Sequence, residues 1–386
     1  MKTSVKRLLL ILLPLFVVIL TLQSCSGSSD AVTLAVTSLE MKVTFSPIAV
    51  KSTDGKINLL YSVEIPNFEK EGYGLKDFQV LNAADNTILC SIKDKGKYML
   101  IHNPTIESIP QELYYYPLLD LAAYRFSIGL ILDPAEVPQK VKHKLVLIKD
   151  ATEKIIEGAE ASISKGPITV ISAPLKGGGF VAASTTTLMN NHHPTFQLTY
   201  RGMTTVPERY CVDWNKLDAA TGSPFHGDQS ICENWYVYGQ NVYAASNGQI
   251  VFVSDDMPDQ FPVGTVSSDI NIFNGAGNSV VIVSEGGYTI YGHLKPNSIV
   301  VKIGQIVKKG QLIGKVGNSG NSQAPHLHFG LHTDFPYYIS ESLPYYIDSM
   351  EKIGSTGKPD GALVMLIEPE LHTNELVENY GVYNLK

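Results

Sequence analysis

The chain has 386 residues, a length that favours two or three domains. Its composition is 44% hydrophobic and 17% charged, with 32 Gly and 21 Pro, which suits turn-rich β domains and excludes a disordered chain. Four Cys in so long a chain exclude a disulfide scaffold. The formal net charge of −7 argues against nonspecific binding to nucleic acid, which requires basic surface, so no nucleic-acid partner is expected.

The N-terminus has the pattern of an export signal. Three cations, Lys2, Lys6 and Arg7, precede an apolar run over residues 8–22 that is interrupted by Thr21. This run is shorter than the roughly 20 residues that a membrane span needs. The pattern predicts a cleaved signal peptide over residues 1–24, whose removal would take away three positive charges and lower the net charge from −7 to −10.

The end of this signal resembles a bacterial lipobox. Residues 22–25 read LQSC, and a polar linker over residues 25–32 follows. The resemblance implies that Cys25 is lipidated and anchors the protein in a membrane of the cell envelope, facing the periplasm or the exterior. A plain signal peptide with a chance Cys is the alternative. Of the other cysteines, Cys211 and Cys232 are expected either as a disulfide or as two buried thiols.

Residues 33–165 are predicted to form an antiparallel β-sandwich. Short apolar runs alternate with turn signals, and the clearest runs are residues 57–63, 78–81, 124–128 and 143–148. Catalytic residue types do not cluster in this region. His102 and His143 each stand alone, and a single His is more often structural than a ligand. A spacing or binding role is expected for this domain.

Residues 172–336 are predicted to form a second β domain. A Gly-rich hinge over residues 173–179 leads into a hairpin over residues 242–253 with an Asn-Gly turn. Further strands are expected at residues 279–283, 288–294, 311–316 and 326–332. A C-terminal extension, residues 337–386, is expected to hold a short helix at residues 345–352 and a strand at residues 363–367. The fold class is therefore all-β.

The histidines carry the chemical signal, since eight of the ten lie after residue 190. His326 and His328 are two residues apart on a predicted strand, so both imidazoles face the same side while Leu327 packs behind them. The chain has no H-E-x-x-H sequence, which excludes a thermolysin-like helix site.

Several blocks in this half resemble the lysostaphin/LytM-type zinc metallopeptidases, the peptidoglycan endopeptidase family. The blocks are residues 291–294 (YGHL), 307–314 (VKKGQLIG), 316–322 (VGNSGNS) and 325–329 (PHLHF), and the segment 242–253 fits the family's strand pair. The resemblance implies a β-rich core with a groove, one Zn²⁺ ion, and cleavage of amide bonds in peptidoglycan cross-links.

Carried over by position, the resemblance implies that His328 and Asp213 are zinc ligands and that His326 and His293 are catalytic. The family usually places its first ligand His four residues before the Asp, and Arg209 stands there in this chain. His193 is the candidate for this ligand, with His192 as its main competitor. His226 is a weaker candidate, because it follows Asp213 in a predicted loop. Arg209 itself is expected either to hold Asp213 or to form an ordinary ion pair.

Two imidazoles and one carboxylate fill three tetrahedral positions of Zn²⁺ and leave the fourth for water. Because an imidazole titrates near neutral pH, we expect His326 to act as the general base, while His293 orients the water or stabilises the oxyanion. The leading interpretation is therefore a peptidoglycan hydrolase. Two alternatives remain: an inactive domain of this type that binds or regulates another wall hydrolase, and a glycan-binding protein centred on the sandwich.

Overall fold

The computed structural model describes residues 40–65, 72–92, 124–186, 192–196, 198–200, 203–358 and 361–386. The predicted signal peptide, Cys25 and the whole of the predicted linker lie outside the described residues, as does His102. Residues 39–386 form one compact unit. Within the described part of the chain, no helix has both the length and the apolar character needed to cross a membrane.

The N-terminal region contains two antiparallel four-stranded sheets and a 3₁₀ turn at Pro134–Glu136. The strands are β1 (Lys42–Phe45), β2 (Ala49–Lys51), β3 (Ile57–Ile65), β4 (Gly74–Asn82), β5 (Ile88–Ile92), β6 (Tyr124–Leu132), β7 (Lys140–Lys149) and β8 (Thr152–Ser162). In the first sheet, β3 pairs along one edge with β1 and β2 and along the other with β6. The order of the second sheet is β5-β4-β7-β8.

The two sheets share one apolar core, in which the rings of Phe78 and Phe126 stack with centroids 4.2 Å apart. His143 lies in the same core as a structural residue. Its Nδ1 donates to the carbonyl of Ala159, and its Nε2 accepts from the hydroxyl of Tyr61. Burial lowers the pKa of His143 to about 4, so the ring stays neutral there.

Strand β3 is buried on both faces, unlike the usual half-exposed strand of a two-layer domain. Side chains alternate along it, so Leu59 and Tyr61 enter the core between the two N-terminal sheets. The intervening Leu60 enters the core of the C-terminal region, and Ser62 accepts a hydrogen bond from the buried Arg209. The N-terminal sheets and the C-terminal region therefore share a packed interface.

The C-terminal region is built on one large β-sheet. Its strands are β9 (Thr169–Ile171), β10 (Gly177–Ser184), β11 (Leu198–Tyr200), β12 (Met203–Thr205), β13 (Val212–Lys216), β14 (Asn241–Tyr243), β15 (Gly248–Ser254), β16 (Ser279–Ser284), β17 (Gly287–Gly292), β18 (Ile306–Val307), β19 (Leu312–Lys315), β20 (Leu327–His332), β21 (Ser342–Leu343), β22 (Tyr345–Ile347), β23 (Met350–Ser355), β24 (Val364–His372) and β25 (Gly381–Leu385). Eleven of them form the main sheet, of order β18-β15-β16-β17-β20-β13-β10-β25-β23-β24, with β21 paired to β20. The only described α-helix of this region is α1 (His192–Thr195), and 3₁₀ turns lie at Cys232–Asn234 and Tyr337–Ile339.

The all-β prediction is confirmed, and the four strands predicted between residues 279 and 332 are present as β16, β17, β19 and β20. The predicted hairpin over residues 242–253 is wrong. Strand β14 pairs with β19, whereas β15 pairs with β16 and β18. Gly248 is required because a Cβ at this position would overlap the carbonyl of Val283 on the neighbouring strand. This close approach of two strands, and not a two-residue turn, accounts for the glycine of the Asn-Gly pair.

The C-terminal residues belong to the main sheet. The predicted helix at residues 345–352 is wrong, because this segment forms β22 and part of β23. The strand expected at residues 363–367 is present and longer, as β24. Strand β25 inserts between β10 and β23, and Leu385 is buried in the core. Pairing with distant strands gives this segment its extended form.

Cys211 and Cys232 are free and buried thiols, so the disulfide considered from the sequence is wrong. Their sulfur atoms have different neighbours. The Sγ of Cys211 lies 3.7 Å from the carbonyl oxygen of Pro207, and the Sγ of Cys232 lies 3.8 Å from that of Gln260.

The shared interface predicts that the two regions unfold together. Leu60→Ala is expected to lower the free energy of unfolding by about 2–5 kcal/mol, because it leaves a cavity in the C-terminal core. Denaturant unfolding followed by Trp fluorescence measures this effect, since both Trp residues, Trp214 and Trp235, lie in the C-terminal region. Ile131→Ala, at a side chain 45% exposed on β6, is the control and should change stability by less than about 0.5 kcal/mol. An unchanged Trp transition in Leu60→Ala would mean that the two regions unfold independently.

Candidate active site

Asp213 and His328 meet because they face each other across two paired strands. Strand β13 runs antiparallel to β20, and the register places Asp213 directly opposite His328. The Nδ1 atom of His328 lies 2.9 Å from Oδ1 of Asp213. On the other side of β20, His328 lies opposite Gly292, the last residue of β17, so that His293 follows at the same end of the sheet. The sheet register thus assembles three of the five predicted site residues.

His193 reaches the same carboxylate from helix α1. Its side chain is fully buried, and its Nδ1–H donates to the carbonyl of Cys211 at 3.1 Å. Because a carbonyl can only accept, this bond turns Nε2 toward the site, where it lies 3.2 Å from Oδ2 of Asp213. The His193 and His328 rings are 5.3 Å apart and nearly perpendicular.

His192, the competing candidate, lies at the rim of the same cluster. Its Nε2 is 3.9 Å from Oδ2 of Asp213 and 3.8 Å from a carboxylate oxygen of Glu208, and its side chain is 62% exposed. His192, His193 and Asp213 all have donor atoms within 4.8 Å of one another. Of the two histidines, His193 is nearer to Asp213 and has its ring orientation set by a hydrogen bond to the backbone.

The two predicted catalytic histidines are also held through Nδ1. His326 donates to the carbonyl of Ala324 at 2.8 Å, and His293 donates to the carbonyl of Ser319 at 2.8 Å. In the neutral imidazole, the Nε2 of each ring is then an acceptor. The two rings lie 4.5 Å apart, and Nε2 of His326 lies 3.5 Å from Oδ1 of Asp213. His293 adopts the left-handed conformation, with φ of 59°, where its strand ends.

Charge in this cluster centres on Asp213. Burial alone would raise the pKa of its carboxyl, but the neighbouring His193 and His326 outweigh burial and hold that pKa well below its usual value. Burial also opposes the charged form of His193, yet the Asp213 carboxylate raises the pKa of His193 above its ordinary value. Burial, reinforced by His326 and His328, holds the pKa of His293 well below its usual value. An ionised carboxylate therefore lies among imidazoles that differ in their affinity for protons.

The chemistry of these side chains fits a divalent metal ion. With ligand bonds of about 2.0–2.1 Å, two ligands of a tetrahedral ion are about 3.3 Å apart. The nitrogen–oxygen separations of 3.2 Å at His193 and 2.9 Å at His328 are close to this value. His193 and Asp213 can therefore supply two ligands of a metal ion. The third ligand is either His328, which contacts Asp213, or His192, whose donor atom lies within 4.8 Å of those of His193 and Asp213. His326 and His293 lie beside this cluster.

Arg209 and His226 have other contacts. Arg209 forms the ion pair considered from the sequence, with its Nη2 3.4 Å from Glu341, and it donates to Ser62 at 2.8 Å. His226 packs against the ring of Tyr236 and has no described contact with Asp213 or the histidines around it.

Sequence reasoning missed the groups that orient the imidazoles, namely the backbone carbonyls of Cys211, Ser319 and Ala324, and also missed Glu208. Every residue has a backbone carbonyl, so the residue types do not indicate which carbonyl accepts a hydrogen bond from an imidazole. The only available signal was the turn-rich stretch that precedes His326.

Comparison with known proteins gives a match in the same half of the chain. Residues 235–337 match the sequence model of peptidase family M23. This segment contains His293, His326 and His328, whereas His193 and Asp213 precede it.

The curated relatives match over short segments. An uncharacterized metalloprotease of Haemophilus influenzae is 43% identical over 70 residues, which are 18% of this chain and 14% of that protein. Lysostaphin of Staphylococcus simulans is 40% identical over 55 residues, which are 14% of this chain and 11% of that protein. The chain thus spans less than a sixth of the length of these relatives.

Among solved structures, the catalytic domain of lysostaphin from Staphylococcus simulans aligns at 26% identity over 32% of this chain and 86% of that domain, with a TM-score of 0.21. A TM-score this low does not establish a shared fold, so the assignment depends on the sequence match. That match, over residues 235–337, is to peptidase family M23.

Proposed function

We propose that this protein is a zinc-dependent endopeptidase that hydrolyses amide bonds in peptidoglycan cross-links. The observation that carries the proposal is the convergence on one carboxylate: His193, His326 and His328 place ring nitrogens 3.2, 3.5 and 2.9 Å from the oxygens of Asp213. Buried carboxylate–imidazole clusters of this composition suit a metal ion and a general base together. The match of residues 235–337 to peptidase family M23 supports the reaction class.

In this proposal, His193, Asp213 and His328 hold one Zn²⁺ ion. When bound, zinc supplies a Lewis acid that polarises the scissile carbonyl and lowers the pKa of a water molecule toward neutrality. The hydrogen bond from His193 to the carbonyl of Cys211 supports this role, since it sets the tautomer and the ring orientation that a ligand needs.

His326 is proposed to be the general base. Its Nδ1–H is committed to the carbonyl of Ala324, so a neutral ring offers the lone pair of Nε2 on the side that faces Asp213. That nitrogen accepts a proton from the attacking water and then returns it to the leaving amine, so that His326 ends the cycle in its original state.

His293 is proposed to orient the attacking water. Two roles were considered from the sequence, water orientation and stabilisation of the oxyanion. Because its Nδ1–H donates to Ser319, a neutral His293 has only a lone pair at Nε2, and burial keeps the ring neutral by lowering its pKa. A lone pair can accept a hydrogen bond from water but cannot donate one to an oxyanion, which favours water orientation.

We further propose that the protein is a membrane-anchored lipoprotein of the bacterial cell envelope. The apolar run at residues 8–22 and the LQSC sequence at residues 22–25 support this location, which also gives access to the proposed substrate. The wild-type chain is expected to incorporate a labelled fatty acid during expression in bacteria, and Cys25→Ala is expected to abolish the label. An unlabelled wild-type protein would leave a plain signal peptide as the better interpretation.

The neighbouring histidines allow a matched test of the metal site. His193→Ala is expected to weaken zinc binding by more than about 100-fold, because it removes a buried ligand whose orientation is set by the backbone. His192→Ala should retain stoichiometric zinc, since that side chain is largely exposed. Zinc content and competition with a chelator measure both variants. The opposite result, with zinc lost only in His192→Ala, would exchange the roles of the two residues.

His326→Ala is expected to keep zinc bound and to lower kcat by a factor of about 10²–10⁴, the usual size of a general-base contribution. Release of muropeptides from peptidoglycan by the wild type, and its loss on addition of a chelator, provide the reference. Loss of zinc in His326→Ala would contradict the proposed role. Stoichiometric zinc in the wild type without muropeptide release would instead support the inactive, regulatory alternative.

A further inference from the structure

A turn at one edge of the 11-stranded sheet exposes apolar side chains where turns usually carry polar ones. The amide of Gln305 donates to the carbonyl of Lys302, so Ile303 and Gly304 occupy the two central positions. Gly304 has a φ of 85°, as the second central residue of such a turn requires. Ile303 lies at the tip and is 62% exposed.

The residues on either side of this turn expose aliphatic side chains as well as lysines. Val301 and Val307 are buried in the core. Because side chains alternate along extended chain, Val300 and Ile306 are directed outward, and they are 61% and 69% exposed. Lys302 and Lys308 lie two residues after Val300 and Ile306, so they are directed to the same side, and they are also exposed. We define the turn face as Val300, Lys302, Ile303, Ile306 and Lys308.

The charge around the turn face is opposite to that of the whole chain. Residues 286–333 contain five Lys and no Asp, Glu or Arg, although the chain as a whole has a net charge of −7. Two acidic side chains contact residues close to the turn. Asp348 pairs with Lys309 at 3.0 Å, and Asp255 accepts a hydrogen bond from the backbone of Ile299 at 3.3 Å. A basic surface with protruding aliphatic groups therefore remains exposed.

The turn lies away from the proposed catalytic centre. Strand β18 pairs with the first residues of β15, Gly248 and Gln249. The other end of β15, at Ser254, pairs with Ser279, next to the loop that carries His293. The seven residues of β15 separate these two ends by about 20 Å. A surface bound at the turn face would leave the histidine cluster accessible.

We propose that the turn face docks onto an anionic lipid bilayer. Aliphatic side chains that protrude beside lysines match the interface of such a membrane, where the lysines contact headgroup phosphates and the aliphatic groups enter the region below. The proposal rests on the proposed envelope location, which keeps the protein close to a membrane. It assigns this edge of the sheet the task of orienting the enzyme, with the histidine cluster directed away from the lipid.

The test uses the chain without residues 1–25, which lacks the lipidation site but retains the compact unit of residues 39–386. Its partitioning is measured by flotation with vesicles of phosphatidylcholine alone and of phosphatidylcholine with about one third phosphatidylglycerol. We expect binding to the anionic vesicles that weakens at high salt. The double variant Ile303→Asp/Ile306→Asp should reduce the partition coefficient by at least about tenfold, because it removes both aliphatic groups and adds negative charge.

Two further variants separate the contributions. Lys302→Gln/Lys308→Gln should lower binding to anionic vesicles by about fivefold for each lysine while leaving the aliphatic groups in place. Ile367→Asp, at a fully exposed isoleucine on β24, is the matched control and should bind like the parent chain. All variants should keep the parent's melting temperature and its zinc content, so a loss of docking is distinguishable from a failure of the catalytic proposal.

Three outcomes would overturn the proposal. The first is an absence of binding to either kind of vesicle. The second is equal binding of the parent chain and the Ile303→Asp/Ile306→Asp variant. The third is salt-sensitive binding to soluble polyphosphate that matches vesicle binding and ignores the isoleucines, which would identify a site for anionic polymers instead.

Discussion

The arrangement of the site depends on the carboxylate of Asp213. It lies in a buried cluster, where a charge is stable only if nearby groups compensate for the lost water. Imidazoles from two separate segments, those of His193 and of His326 and His328, supply that compensation and hold the pKa of Asp213 well below its usual value. The same arrangement creates the conditions for metal binding, because nitrogen and oxygen donors lie about one tetrahedral edge apart. The electrostatic stability of Asp213 and the proposed chemistry thus have one cause.

Around this cluster, the backbone does much of the orienting. His193, His293 and His326 each give their Nδ1–H to a main-chain carbonyl, and this fixes which nitrogen of each ring faces the carboxylate. Such bonds restrict ring rotation without adding charge to the site. The carbonyl of Cys211 lies directly before strand β13, and those of Ser319 and Ala324 lie in the loop between β19 and β20. Rigid backbone geometry can therefore prepare the site before any ligand is bound.

The N-terminal sheets also support the strand that carries Asp213. Arg209 and Tyr210 precede that strand and contact β3 through the hydroxyl of Ser62 and the carbonyl of Leu60. The guanidinium of Arg209 also lies 4.4 Å from the ring centroid of Phe45. Arg209 thus joins the two regions through its contacts with Ser62 and Phe45. Its contacts give the N-terminal sheets a structural connection to the site.

The sequence by itself determined the all-β class, most strand positions, and the convergence of His326 and His328, because these depend on local alternation and on the two-residue period of a strand. It also proposed Asp213, His193 and His293, through resemblance and spacing rather than through physics. Only the tertiary structure shows that His193 is buried, lies nearer to Asp213 than His192 does, and donates a hydrogen bond to the carbonyl of Cys211. Residues 345–352 form strands, and the segment 242–253 contributes strands to two separate sheets, because these residues pair with distant segments. Strand pairing between distant segments is a long-range property, and a local pattern such as Asn-Gly cannot encode which partner a strand will meet.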